Sequence, residues 1–187
     1  RRAALRRAAH DLQPRRAADS RTVIVEVMEL VHVNNAGNVH GGTIMRLVDT
    51  AAGIAAARHS RRRVVTASMD EMSFLAPVYI GDMLHVQATV NEVFRSSMEV
   101  GVRVDVETIP DGERCHVATA YLTFVALDED MKPLPVPPVI AESDEEKRRQ
   151  AHARIRREQR LLRKEALLRH QAGEIESARA TGPPATR

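Results

Sequence analysis

Strict alternation of apolar and polar side chains between residues 83 and 106 predicts two neighbouring β-strands, because successive side chains of a strand point to opposite faces of its sheet. The first strand covers Met83–Phe94 and the second covers Met98–Val106. The apolar side chains on their shared face are Leu84, Val86, Ala88, Val90, Met98, Val100, Val102, Val104 and Val106. Arg95-Ser96-Ser97 joins the two strands as a short hairpin. The pair therefore presents an apolar face that another element has to cover.

Three further segments are rich in β-branched residues and bounded by turn residues, which indicates strands at Thr22–Val31, Val64–Phe74 and Cys115–Leu127. Between the first two lies a segment, Gly42 to about His59, whose apolar residues recur with helical spacing. This helix is the cover that the apolar face of the sheet needs. We therefore predict an α+β hot-dog fold: a five- to six-stranded antiparallel sheet wrapped around one central helix, with the four strands after the helix forming a meander.

The two ends of the chain differ in composition from this middle part. Residues 1–20 are rich in Arg and Ala and predict a basic, disordered arm before the hot-dog domain, which spans residues 21–138. A proline-rich connector ends that domain. A capping-box sequence at Ser143–Glu146 then begins a charged C-terminal helix within residues 139–172, and we expect residues 173–187 to form a disordered tail.

Charge and cysteine content exclude several classes of function. The 187-residue chain carries a formal net charge of only +3, and its Arg-rich start lacks the aromatic side chains and base-reading motifs typical of nucleic-acid binding. A single cysteine, Cys115, excludes an internal disulfide and a cysteine-cluster metal site. No apolar run is long enough for a membrane span, and no signal-peptide core follows the basic start. We therefore expect a cytoplasmic protein that binds neither nucleic acid nor membrane and holds no metal.

The most informative segment is the polar, Asn/Gly-rich loop Asn34–Gly42 and the small-sided helix that follows it. Glycine lets a backbone approach a ligand closely, and the first turn of a helix offers unpaired N–H groups at the positive end of its dipole. Such a helix start can hold an anion or a developing oxyanion. About two turns further along the helix, Asp49 falls on the flank of the apolar face, beside Met45 and Ala52. This carboxylate is either an ordinary surface residue at the edge of the core or a general base beside a channel between small side chains.

Four segments of the chain resemble the cytosolic acyl-CoA thioesterases with hot-dog domains, in the form of a single-domain, bacterial-like member. They are Gly37–Gly42 with the following helix, Ile54–His59, Val64–Ser68 and Leu134–Pro137. The likeness covers about residues 22–165 in matching order. In this family two domains join their sheets into a dimer with active sites between the subunits, and assemblies of three dimers are frequent. The resemblance therefore implies a homodimer at least, with a hexamer built from three dimers as the expected assembly.

The resemblance also implies the catalytic residues. The family uses an asparagine from the loop before the helix and an aspartate on the helix, which match Asn34 and Asp49, with Asn35 as the alternative position for the asparagine. Hydrolysis of an acyl-CoA to free fatty acid and CoA would place the thioester carbonyl oxygen at the backbone N–H of Gly42 or Thr43. Asp49 would act as general base for water, or as a nucleophile that forms an anhydride, while Asn34 orients the water or the thioester. The predicted catalytic residues are thus Asn34, Asp49 and Gly42.

Further positions are predicted to contact the substrate. We expect the acyl chain along the Ala-rich face of the helix, and surface cations or backbone donors at the CoA phosphates. The predicted substrate-binding residues are Asn35, His40, Gly41, Thr43, Met45, Ala52, Arg63, Arg95, Ser96 and Ser97. We expect His40 to shape the loop rather than to act as a base, and the basic residues have a second interpretation as a solvated turn. No cofactor is expected, because coenzyme A is part of the substrate and the product.

Two other functions are compatible with these residues. Hot-dog folds also host enoyl-CoA hydratases, which pair a helix Asp or Glu with a nearby His, whereas the nearest histidine downstream of Asp49 is His59. A non-catalytic module that binds or senses acyl-CoA would use the same pocket without needing Asp49. Turnover, and its dependence on Asp49, separates these functions.

Overall fold

A computed structural model of the chain describes residues 11–109 and 111–180, with side chains described up to residue 171. The first elements are strand β1 (Arg15–Arg16), helix α1 (Ala17–Ser20), strand β2 (Thr22–Val27), a 3-10 turn (Leu30–His32) and helix α2 (Gly41–Ser60). Strands β3 (Arg63–Phe74), β4 (Met83–Val93), β5 (Ser97–Glu107), β6 (Arg114–Leu127) and β7 (Val139–Ile140) and helix α3 (Asp144–Ala180) follow. The chain divides into two compact units, with the boundary between Gln150 and Ala151.

Five strands form one antiparallel sheet in the order β2-β4-β5-β6-β3. The expected meander is correct for β4, β5 and β6 but wrong for β3, which pairs with β6 and not with β4. The reason is that α2 crosses the apolar face of the sheet before β3 begins, so β2 and β3 become the two opposite edges. The first predicted strand also ends early, at Val27, because the 3-10 turn follows it.

Helix α2 lies on the apolar face of this sheet and contacts all five of its strands. Its buried side is made of small and aliphatic side chains: Ile44, Leu47, Val48, Ala51, Ala52, Ala55 and Ala56. The alternating apolar positions predicted on β4 and β5 are all buried. Burying one Val or Leu side chain contributes about 1.5–3 kcal/mol, and the alanines let the helix backbone approach the sheet closely. One sheet wrapped around one helix is the predicted hot-dog fold.

The N-terminal segment is partly folded, in contrast to the disordered arm expected for residues 1–20. Strand β1 pairs in parallel with β7, and α1 has two buried side chains. The Arg15 guanidinium donates a hydrogen bond to the carbonyl oxygen of His59 near the end of α2, so Arg15 links the N-terminal segment to this helix. Residues 1–10 of the expected arm lie outside the described residues.

The C-terminal helix begins at the predicted capping box. The Ser143 hydroxyl accepts a hydrogen bond from the Glu146 backbone N–H (3.2 Å), and the Glu146 carboxylate accepts one from the Ser143 N–H (3.0 Å). The helix continues to Ala180, so the tail expected from residue 173 is helical up to that point, and residues 181–187 lie outside the described residues. In the described part of the chain, no helix is long and apolar enough to cross a membrane.

Candidate active site

A short hairpin leads into α2 and carries the predicted asparagines. Val33 and Val39 form an isolated antiparallel bridge, and the Asn34 N–H donates to the Asn38 carbonyl oxygen (2.8 Å). Gly37 turns the hairpin with a φ of 84°, a conformation that glycine adopts without strain. The hairpin is therefore ordered by its own backbone, which fixes Asn34 relative to the start of α2.

The 3-10 turn in front of this hairpin is closed by two residues that the sequence analysis missed. The Glu29 carbonyl oxygen accepts a hydrogen bond from the His32 N–H (2.9 Å), and the His32 imidazole accepts one from the Glu29 N–H (3.0 Å). The His32 carbonyl oxygen in turn accepts the N–H of His40 (2.8 Å). The spacing of a capping box, with a histidine at its third position, is the sequence signal that could have predicted this contact.

His40 is the N-cap of α2 and shapes the loop, as expected. Its Nδ1 accepts a hydrogen bond from the Gly42 N–H (2.9 Å), and its carbonyl oxygen accepts one from the Thr43 N–H (2.8 Å). The two donors predicted for the oxyanion are therefore already engaged, because the cap satisfies the first turn of the helix. Within the described chain the Gly41 N–H has no acceptor, so it is the donor that this helix start leaves available to a ligand.

One cleft of about 390 Å³, here called the Asn34 cleft, lies beside this helix start. Its lining residues are Asn34, Asn38, Val39, Gly41, Ile44, Phe74, Leu75, Ala76, Pro77 and Val78. The Asn34 amide is held within the hairpin: its Oδ1 accepts from the Ala36 N–H (2.8 Å), and its Nδ2 donates to Asn38 Oδ1. Asn35 is exposed and does not line the cleft, whereas Asn34 and Asn38 both do.

A second cleft of about 470 Å³, here called the Asp49 cleft, opens between α2 and β3. Its lining residues are Asp49, Thr50, Gly53, Ile54, Ala57, Val64, Val65, Thr66 and Phe124. The half-buried Asp49 carboxylate accepts a hydrogen bond from the Thr66 hydroxyl, with 2.7 Å between Oδ1 and Oγ1. Thr66 is absent from the predicted site residues, because no periodicity or spacing in the sequence distinguishes it from other threonines on β-strands.

The two clefts divide the predicted catalytic residues between them. Asn34 and Gly41 line one, and Asp49 lines the other. A single copy of the chain therefore does not place the loop asparagine and the helix aspartate in one cleft.

The predicted acyl-chain contacts are displaced around the helix. Ala52, predicted to contact the acyl chain, is completely buried in the core and lines neither cleft. Besides Asp49 and Thr50, the residues of α2 that line the Asp49 cleft are Gly53, Ile54 and Ala57. Ala52 is buried because the sheet packs against the alanine-rich face of α2 and covers it. Met45 is exposed and lines neither cleft.

The predicted contacts to the CoA phosphates lie at one end of the sheet, outside both clefts. Arg63 starts β3 opposite Leu127, and Ser97 starts β5 opposite Val125, so both flank the last residues of β6. The carbonyl oxygens of Arg95 and Ser96 accept hydrogen bonds that fasten the hairpin to the chain after β6 and to β6 itself. Arg63 and Arg95 are exposed. The described side chains include no group of three or more His, Cys, Asp or Glu residues that could hold a metal ion.

Most of the residues that line the two clefts lie in a segment that matches a known family. Residues 36–112 match the family model of the Thioesterase superfamily. A Bacillus subtilis protein named as an uncharacterized acyl-CoA thioester hydrolase is 49% identical over 113 residues, which are 60% of this chain and 66% of that protein. The structure of Staphylococcus aureus acyl-CoA hydrolase, in complex with butyryl coenzyme A, coenzyme A and coenzyme A disulfide, has 34% sequence identity and a TM-score of 0.78, over 87% of this chain and 98% of that chain. The chain belongs to the thioesterase superfamily.

The similarity to solved structures extends to an assembled member of the superfamily. The apo form of a hexameric acyl-CoA thioesterase has 36% identity and a TM-score of 0.79, over 81% of this chain and 97% of that chain. Against relatives known by sequence the overlap is shorter: this thioesterase-superfamily chain spans 66% of the length of the Bacillus subtilis protein and 38% of that of the rat cytosolic acyl coenzyme A thioester hydrolase.

Alanine variants of the Staphylococcus aureus hydrolase have also been solved, at an asparagine, an aspartate and a threonine. The aspartate follows the asparagine by fifteen residues, and the threonine follows the aspartate by seventeen. In this thioesterase-superfamily chain, Asn34, Asp49 and Thr66 stand at the same intervals.

Proposed function

We propose that this protein hydrolyses acyl-CoA thioesters to free fatty acids and CoA. The observation that carries the proposal is the Asp49–Thr66 pair, a half-buried carboxylate held by a hydroxyl in a mostly apolar cleft. A carboxylate placed in this way can take a proton from water beside an acyl group. Membership of the thioesterase superfamily and the intervals between Asn34, Asp49 and Thr66 support the same reaction.

The proposed active site is built by two copies of the chain. The Asn34 cleft of one subunit faces the Asp49 cleft of the other, so a homodimer has two equivalent sites. The separation of Asn34 and Asp49 into two clefts of one chain supports this arrangement. Strand β3 is an edge of the sheet, and its exposed Val65 and Phe74 give that edge an apolar surface that a second copy can cover. The hexameric neighbour supports an assembly of three such dimers.

The developing oxyanion is assigned to the Gly41 N–H, in place of the Gly42 and Thr43 groups expected from the sequence. This N–H has no acceptor in the described chain and lies at the start of a 20-residue helix, where the helix dipole favours negative charge. The His40 cap holds the next turn in place, so the donor is oriented before the substrate binds.

Asp49 is the proposed general base. The water oxygen forms a bond to the thioester carbon, and one water proton passes to the carboxylate. The C–S bond then breaks, and the leaving CoA sulfur takes up a proton. Thr66 donates to Oδ1 of Asp49, which leaves Oδ2 to accept the proton from water. Direct attack of Asp49 on the thioester, with hydrolysis of the resulting anhydride, is the alternative route.

Asn34 is the proposed residue that orients the thioester or the water. Its Nδ2 has two hydrogens, of which one is used by Asn38, so the second is available for a substrate oxygen. Arg63 and the Arg95-Ser96-Ser97 hairpin are the proposed contacts of the CoA phosphates. The proposed reaction consumes only water and requires no cofactor.

Release of free CoA thiol from acyl-CoAs ranging from acetyl to palmitoyl tests this proposal. Asp49→Ala is expected to lower kcat about 10²–10⁴-fold, as for loss of a general base, while the variant stays folded and dimeric. Asp19→Ala is the matched control, because Asp19 is an exposed carboxylate of α1 that pairs with Arg16 of β1 and lies in neither cleft. It is expected to change kcat by less than about twofold.

Two results would contradict the proposal. Tight binding of acyl-CoA without turnover would identify a non-catalytic sensing module, and full activity of Asp49→Ala would mean that another group is the base. Against a hydratase stands the composition of the Asp49 cleft, since no histidine is among its lining residues to pair with the carboxylate.

A further inference from the structure

The two clefts differ in chemistry although each contains one glycine of α2 facing one phenylalanine of the sheet. In the Asn34 cleft, two amide side chains lie beside Phe74, a residue that is 45% exposed. In the Asp49 cleft, the residues other than Asp49, Thr50 and Thr66 are all apolar. There the phenylalanine is Phe124, which is only 2% exposed.

The geometry points to a division of the substrate between these clefts: the acyl chain enters the Asp49 cleft, and Phe124 facing Gly53 ends it and sets the acyl-chain length. This inference rests on the proposed thioesterase function. The pantetheine arm, which carries two amide groups, lies along the Asn34 cleft, where Asn34, Asn38 and the backbone offer hydrogen bonds. An alkyl chain offers none, so the apolar cleft suits it.

Phe124 is held where it can end the cleft. It is the direct cross-strand partner of Thr66 on β3 and of Met98 on β5, so its ring lies on the same face of the sheet as the hydroxyl that holds Asp49. A Cβ atom added to Gly53 would lie 3.6 Å from the Phe124 ring. The ring therefore packs against the bare backbone of α2. Moving a fully packed ring costs free energy. Methylenes beyond the point where the acyl chain reaches the ring therefore add no binding free energy.

Gly53→Ala tests the inference without weakening the fold. The added methyl group meets the Phe124 ring at an ordinary contact distance, and alanine is a better helix former than glycine. The variant shortens the cleft at its end. We expect kcat/KM for the longest acyl-CoA that the wild type accepts to fall about tenfold relative to the shortest, since one methylene in an apolar pocket changes specificity by about 10–200-fold.

Phe124→Leu is the opposite change, and Phe74→Leu is its matched control. Replacing the buried ring by a smaller side chain lengthens the cleft, so the chain-length optimum should move to longer acyl groups. We expect kcat/KM for these longer acyl-CoAs to rise about tenfold relative to kcat/KM for the acyl-CoA that the wild type prefers. Phe74→Leu alters the other cleft by the same substitution. It should change KM for all acyl groups by one common factor and change product inhibition by free CoA, whereas Gly53→Ala leaves inhibition by CoA unchanged.

The outcomes separate this inference from the function on which it rests. A wild type that releases no CoA from any substrate overturns the proposed function. If the wild type is active but Gly53→Ala and Phe124→Leu change kcat/KM by the same factor for every acyl-CoA, the division of the substrate is overturned. A shift of the chain-length optimum in Phe74→Leu overturns it as well, because the acyl chain would then occupy the Asn34 cleft.

Discussion

Helix α2 has a histidine near each end, and the two imidazole rings form hydrogen bonds with the backbone through different nitrogens. His40, at the N-cap, is exposed and accepts the Gly42 N–H through Nδ1. His59, in the last turn, is 2% exposed and donates from Nε2 to the carbonyl oxygen of Pro137 (2.9 Å). The first end leaves the Gly41 N–H open to a ligand, and the second is closed by core contacts.

Burial is the physical difference between these two ends. Loss of hydration lowers the pKa of His59, because the charged imidazolium is not stabilised away from water. Its Nδ1 has no hydrogen-bond partner in the described chain, which fits a neutral ring that serves as a packed core residue. The same residue type therefore caps the exposed end of α2 and packs in the core at its other end.

The largest expected effect on stability is at the buried end. His59→Ala removes a packed ring and leaves the Pro137 carbonyl oxygen without its donor, so we expect the free energy of unfolding to fall by about 2–4 kcal/mol. Urea denaturation measures this change. CoA release per folded molecule should stay close to the wild-type value, and a stable but inactive His59→Ala protein would contradict the structural role of this end.

The buried end should also make stability depend on pH. Since the folded-state pKa of His59 lies below the ordinary value of about 6.5, the unfolded chain binds more protons as the pH falls through that range. The contribution of neutral His59 is therefore present above the ordinary histidine pKa and is lost as the pH decreases below it. The amide introduced by His59→Gln does not titrate, so the stability difference between wild type and this variant should become less favourable to the wild type on acidification. The urea midpoints of both proteins at about pH 7.5 and about pH 5.5 measure this stability difference. A difference that is the same at both pH values would contradict a lowered pKa of His59.

The exposed end should show a smaller effect on stability and a larger one on catalysis. His40→Ala removes the N-cap acceptor, at a cost of about 1 kcal/mol in the free energy of unfolding, and the loosened helix start should lower kcat about tenfold. His40→Asn supplies a side-chain oxygen that can cap the same N–H and should recover most of both losses. Equal loss of kcat in the two variants, measured by CoA release, would show that the imidazole itself takes part in the chemistry.

The smallest expected effect is a difference in stability between substitutions at the two adjacent glycines, Gly41 and Gly42. A Cβ atom at position 42 would lie 3.1 Å from His40 Nδ1, whereas one at position 41 would lie 3.5 Å from the Phe74 ring. Gly42→Ala should therefore disturb the cap and lower stability by less than about 1 kcal/mol, while Gly41→Ala should be tolerated by the fold. Thermal unfolding of the two variants compares them directly, and a Gly41→Ala protein less stable than Gly42→Ala would contradict the cap geometry.

The sequence predicts local features of this molecule better than relations between distant segments. Alternation on β4 and β5 is enough to assign their buried faces, and the Ser143–Glu146 capping box is confirmed. The placement of β3 at a sheet edge depends on where α2 carries the chain, which no local pattern encodes. The folded segment before β2 was missed for the same reason, since its pairing with β7 joins residues far apart in the sequence.

The candidate site shows the same limit. The loop, the helix start and Asp49 are recognisable from residue types and spacing, but Thr66 is identified as a site residue by its hydrogen bond to Asp49. The Gly pair in the sequence also does not reveal that the Gly42 N–H, the predicted oxyanion donor, bonds to the His40 side chain. The complete burial of Ala52 was not predicted either, because a helical projection does not show how far the sheet extends around α2.

Complementation between two inactive variants tests the central claim, that each active site combines Asn34 of one subunit with Asp49 of the other. Asn34→Ala and Asp49→Ala chains are co-expressed in equal amounts, so that about half of the dimers are mixed and each mixed dimer has one site with both residues intact. If the site is shared in this way, recovery of about one quarter of the wild-type rate of CoA release is expected, although either variant alone is inactive. No recovery in an assembly shown to contain mixed dimers would contradict a site shared between subunits.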